Sequence, residues 1–147
     1  MEFIKFLHSL IRYAVLLVVL VAFLVNLRGW LMQRPVIVWE RMVTIWAMII
    51  CHIQLVLGIV LYATNAAAFH SKDAGAWQNY VMHVHIGSMV LAIVLVTVGR
   101  MLSKRAQDER RKQMLITVSY GIALALMLYA TPWPTTEIGR TIGKGWL

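Results

Sequence analysis

Five histidines stand in a chain of 147 residues, and three of them, His8, His52 and His85, fall inside long apolar runs. His83 precedes the last of these by two positions, and His70 lies in a more polar stretch. An imidazole in hydrocarbon must find a partner, because a buried polar ring without a hydrogen bond is destabilising. Ionisable groups inside membrane segments accordingly face the protein interior and mark a pathway or a cofactor. Neutral imidazole suits haem iron, copper and zinc, but zinc and copper(II) sites normally recruit a cysteine, a carboxylate or a further histidine at short spacing. The adjacent Cys51 and His52 point ~100° apart on a helix, and His83 and His85 ~200° apart. Neither pair chelates one metal. Two imidazoles from different helices are the donor set of a six-coordinate haem.

The elements that must carry these rings are membrane helices. The composition is 61% hydrophobic, well outside that of an ordinary soluble domain. Four apolar stretches can be marked, at about 6–27, 39–63, 77–101 and 114–130, each near the ~20 residues that cross a ~30 Å hydrocarbon core. None shows the polar and apolar alternation of a membrane strand. The first run is too long for the apolar part of a signal peptide and is followed by no clear small-x-small cleavage site. The three connections between the stretches are short enough to join antiparallel neighbours. The expected fold is therefore all-α, a single up-down transmembrane four-helix bundle over residues 1–147.

Charge sets the expected orientation. Arg28, Arg34, Arg41, Arg100, Lys104, Arg105, Arg110, Arg111 and Lys112 flank the first and third connections, whereas Lys5, Arg12, Lys72, Arg140 and Lys144 lie toward the other face. The positive-inside rule then puts those two connections in the cytoplasm and both termini on the outer, periplasmic side of a bacterial inner membrane. These charges flank spans rather than a folded soluble module, so the formal charge of +8 reports topology and attraction to anionic lipid, not nucleic-acid binding. Trp30, Trp39, Trp77 and Trp133 fall near helix ends, where an amphipathic ring is stable at headgroup level. Pro132 and Pro134 are expected to stop the fourth helix. The lone Cys51 packs as a small hydrophobe.

Counted inward from the outer face at ~1.5 Å per residue, His8 is roughly 6 Å deep, His85 roughly 12 Å and His52 roughly 18 Å. All three are expected to converge in the outer half of the bundle. By helical spacing His52 has Met48, Ile49, Leu55, Val56 and Ile59 beside it, and His85 has Ser88, Met89 and Ala92. Such apolar walls with small residues suit a flat macrocycle and equally suit ordinary packing.

The chain resembles a family of small bacterial four-helix membrane proteins known as cytochrome B. The resemblance rests on LHS at Leu7–Ser9, HIQLVLGIVLY at His52–Tyr62, HIGSMVLAIVLVTVG at His85–Gly99 and PW at Pro132–Trp133. It covers most of the chain and is anchored on His8, His52 and His85. In the family pattern the third histidine sits in Glu-His-Pro, whereas here it is Val84-His85-Ile86 with an additional His83 before it, which leaves His83 open as an alternate ligand. The resemblance implies a b-type haem protein.

The leading expectation is a non-covalent haem b electron carrier, since there is no Cys-x-x-Cys-His attachment motif. His52 and His85 are the preferred axial pair and His8 is the third candidate, with Arg12 and Lys72 placed to neutralise propionates. Arg12 serves equally well as a snorkelling interface residue. Six-coordinate iron favours electron transfer over oxygen chemistry, with a quinol as donor and a larger membrane assembly as host. Two other classes stand beside it. One is a cofactor-free accessory or assembly subunit whose histidines bond helix to helix. The other is a copper or proton conduit, which the nine methionines favour and the want of a Met-x-x-Met cluster or an intramembrane carboxylate disfavours.

Overall fold

The computed structural model describes residues 2–71 and 75–141; Lys72 and Lys144, which entered the charge argument, lie outside them. Helix α1 spans Glu2–Met32 and α2 spans Val38–Thr64. A short α3, Ala66–Phe69, leads to α4, Ala76–Tyr80, which runs through a π-helical turn, Val81–His85, into α5, Ile86–Arg105. Helix α6 covers Glu109–Tyr129, and a single turn, α7, covers Glu137–Thr141. Among the described residues four helices are long and apolar enough to cross a membrane: α1, α2, the continuous Ala76–Arg105 unit and α6. The chain is a multi-pass, all-α four-helix bundle whose apolar outer surfaces meet the lipid bilayer.

The helices run past the expected limits because charge ends hydropathy without ending a helix. Lys and Arg are good helix formers, so α1 continues beyond Arg28 and α5 runs to Arg105. Backbone chemistry stops them instead. Gln33 takes a positive φ of 52° just before Pro35, and Asp108 caps α6 by accepting from the Arg111 N–H at 2.9 Å. At the other end of α6, Thr131 Oγ1 donates to the Met127 carbonyl and Trp133 Nε1 to that of Leu128. The terminal carbonyls that Pro132 and Pro134 leave behind are thus satisfied by side chains.

Helix α1 packs on α2 and α6, α5 packs on α6, and the α2–α5 seam is the sparsest of the four. Buried positions recur at seven-residue spacing, as in left-handed bundles. On α1 they are Val15, Val19, Ala22, Asn26 and Gly29; on α2, Glu40, Thr44, Ala47 and Cys51. On α5 they include Ala92, Val96, Gly99 and Ser103, and on α6 Gln113, Thr117, Tyr120, Leu124 and Met127. Small residues let backbones approach, as membrane interfaces require. A Cβ at Gly29 would lie 2.3 Å from Gln113 Nε2, and one at Gly99 would collide with Ser119.

Candidate functional site

Extending these stripes toward the outer end decides which histidines meet. On α1 the spacing that gives Val19 and Val15 continues to Arg12 and His8; on the third span the spacing of Val96 and Ala92 continues to Met89 and His85. His8, Arg12 and His85 are electrostatic neighbours of one another. The His8 ring lies against α2 at Gly58, where an added Cβ would be 3.4 Å from Cε1. Gln54, one turn earlier on the same face of α2, donates Nε2 to the His8 carbonyl at 2.8 Å. His8 Nδ1 is buried with no hydrogen-bond partner among the described residues, as is the Gln54 side-chain oxygen.

His85 is oriented from α6. Its Nδ1 lies 2.8 Å from the carbonyl of the fully buried Ala130. A carbonyl only accepts, so Nδ1 carries the proton and Nε2 keeps its lone pair. This is how ligating imidazoles are commonly fixed in tautomer and rotation. The histidine closes the π-helical turn Val81–His85, a local widening of the helix often found at functional sites. Arg12 donates to the Tyr13 hydroxyl at 2.9 Å and lies 4.7 Å from that ring's centroid, so the cation is anchored beside the pair.

His52 departs from the expected convergence. Its neighbour Cys51 is 1% exposed, and the ~100° turn per residue carries His52 to the outer surface, where it is exposed. Its Nδ1 is held by the Met48 carbonyl at 2.8 Å, and the ring opens into a lipid-facing hollow of about 520 Å³ lined by Met48, Ile49, Ile53, Val56 and Leu57. The structure therefore joins His85 to His8 and leaves His52 outside that group. His83 is exposed as well, and His70 Nε2 bonds the Tyr62 hydroxyl at 2.8 Å. Gln54 and the Ala130 carbonyl escaped the sequence argument; the signal for Gln54 was its place on the stripe Thr44, Ala47, Cys51, Gln54, Gly58.

The opposite end of the bundle holds a second polar group. Glu40 is fully buried and ion-paired with Arg34, and it also accepts the Ile37 N–H at 3.4 Å. Glutamate inside a predicted span was discounted in the sequence, but here Glu40 lies within the first turn of α2. Gln113 is fully buried with neither amide atom partnered among the described residues, and the Thr117 hydroxyl is likewise unpartnered. Between the two ends the core is apolar, with Tyr120 donating to the Thr44 carbonyl at 2.8 Å. Comparison with protein-family models, curated proteins and solved structures finds no match to this chain.

Proposed function

We propose that this chain is a membrane haem b protein for electron transfer, with His8 and His85 as the axial pair. The observation that carries this reading is the pairing itself: two part-buried imidazoles from different spans are electrostatic neighbours of each other and of one cation, and one has its Nδ1 proton tied down by Ala130. The donor set fits the group. His8 contributes a buried ring nitrogen with no other partner among the described residues, and His85 presents Nε2. Bound there, haem would supply a one-electron couple, and two imidazoles holding it would favour electron transfer over oxygen chemistry.

The protein's own part is to hold and to insulate. Ala130 fixes the rotation of His85, the His8 ring lies against α2 at Gly58, and Gln54 ties the backbone of α1 to α2 at His8. Arg12 supplies a positive charge suited to an anionic propionate. The sparse α2–α5 seam gives a flat macrocycle the most room, while the apolar core below excludes water. Membership of the cytochrome B family, a bacterial inner-membrane location with the basic connections inside, and work within a larger membrane assembly belong to the same proposal. The test is the reduced-minus-oxidised absorption spectrum of detergent-purified protein from haem-replete cells. A low-spin b-type spectrum is expected, whereas stably folded, colourless protein would favour the accessory-subunit reading.

A further inference from the structure

The bundle core uses His8 and His85 and leaves His52 facing hydrocarbon near the middle of α2. Its tautomer is fixed: Nδ1 donates to the Met48 carbonyl at 2.8 Å, so neutral Nε2 is an acceptor turned toward lipid. No partner for Nε2 is found among the described residues. An unmet acceptor in hydrocarbon is unfavourable by an amount that a donor would recover, and the surrounding hollow of about 520 Å³ is walled by aliphatic side chains and Met48. That volume lies in the range of small-molecule sites.

The occupant must dissolve in the bilayer, carry an O–H or N–H donor to mid-depth, and present an apolar body to Ile49, Ile53 and Val56. Lipid headgroups and sterol hydroxyls stay at the interface. A second copy of the chain brought up by a two-fold axis passing at His52 would set one Nε2 acceptor against another, which gives no hydrogen bond. We infer that the His52 hollow docks a lipid-soluble hydroquinone, whose ring hydroxyl donates to His52 Nε2 while its ring lies on Ile53 and Val56. Position agrees with this. Gly58, which touches the His8 ring, is six residues from His52, or ~9 Å along the helix axis. The inference names the donor class for the electron-transfer reading above and rests on that reading only for what the hydroquinone is used for; docking stands on the hollow and the imidazole.

The experiment uses the full chain in lipid nanodiscs with a photoactivatable azidoquinone in its reduced form, with labelled peptides mapped by mass spectrometry. Label is expected within Met48–Leu57, displaced by a short-chain hydroquinone. Because His52 faces lipid, His52→Ala should keep its far-UV circular dichroism and weaken displacement about tenfold, the loss of one hydrogen bond in an apolar site. His52→Gln, which keeps an acceptor, should recover part of it. Val56→Trp fills the hollow without touching the imidazole and should abolish labelling. Label elsewhere in the chain, or label indifferent to both His52→Ala and Val56→Trp, overturns the inference. So does efficient disulfide cross-linking of two Ile53→Cys copies in a Cys51→Ser background with no label on α2, which would give the face to a second copy. Specific labelling of a protein without haem would support the docking site and overturn the electron-transfer reading instead.

Discussion

The Nδ1–H of His85 is held by the carbonyl of Ala130 at 2.8 Å, so the last turn of α6 sets the direction in which the third span presents its imidazole. His8, the electrostatic neighbour of His85 on α1, has no hydrogen bond to Nδ1 among the described residues. One ring is oriented by a backbone carbonyl, and the other is not held at Nδ1 by any described residue.

That asymmetry separates three alanine variants. His8→Ala and His85→Ala should each abolish the low-spin spectrum or convert it to a five-coordinate high-spin one. His52→Ala should leave the spectrum unchanged. Absorption and electron paramagnetic resonance of the purified variants check this, and loss of the low-spin signal in His52→Ala alone would reverse the pairing.

Much of the fold could be read from the sequence, since four apolar runs of sufficient length admit little besides four spanning helices. The site was half legible. Counting along the axis puts His8, His52 and His85 together in the outer half of the bundle and favours His52 with His85, but depth says nothing of rotation, and a lipid-facing surface is as apolar as a core. What separates them is the stripe of small and polar residues from Glu40 through Thr44, Ala47, Cys51 and Gln54 to Gly58. In a membrane, small and polar side chains mark the packed face, and His52 lies one position off that stripe. Gln113 was opaque for another reason: flanked by Lys112 and Met114, it reads as the edge of a span, and only the helix start at Glu109 puts it inside the bundle.

Gly29 packs directly on the Gln113 amide at the inner end, where an added Cβ would collide with it. Gly29→Ala should destabilise the bundle by roughly 1–3 kcal/mol, the range for overpacking a filled core. Gln113→Ala in the same chain should relieve most of it, giving a coupling that a double-mutant cycle in thermal unfolding detects. Additive effects would mean that the contact is not retained in detergent.

The Arg34–Glu40 pair sets a fully buried carboxylate against a partly exposed guanidinium. Removing one partner of a buried pair strands the other, whereas replacing both with apolar groups is often tolerated. Arg34→Ala should therefore lower the thermal midpoint more than Arg34→Ala combined with Glu40→Leu does. The reverse order would show that Glu40 is solvated.

Orientation can be checked at Gln107, an exposed residue in the basic α5–α6 connection. A single cysteine there, in a Cys51→Ser background, should resist membrane-impermeant thiol reagents in intact cells and react after permeabilisation. Reaction without permeabilisation would invert the topology.

Helix α6 is the least apolar of the four spans and the one with the largest buried share. Its interior face carries Gln113, Thr117 and Tyr120, groups that lower the free-energy gain of partitioning a lone segment from the insertion machinery into lipid. It is also the last of the four spans to be synthesised. The first three helices must already wait in the bilayer as a receptor, and α6 enters by docking on them rather than by hydrophobicity alone. Insertion of the fourth span is thus expected to be coupled to tertiary folding, and until α6 docks the Thr44 carbonyl lacks the Tyr120 hydroxyl that meets it in the finished bundle.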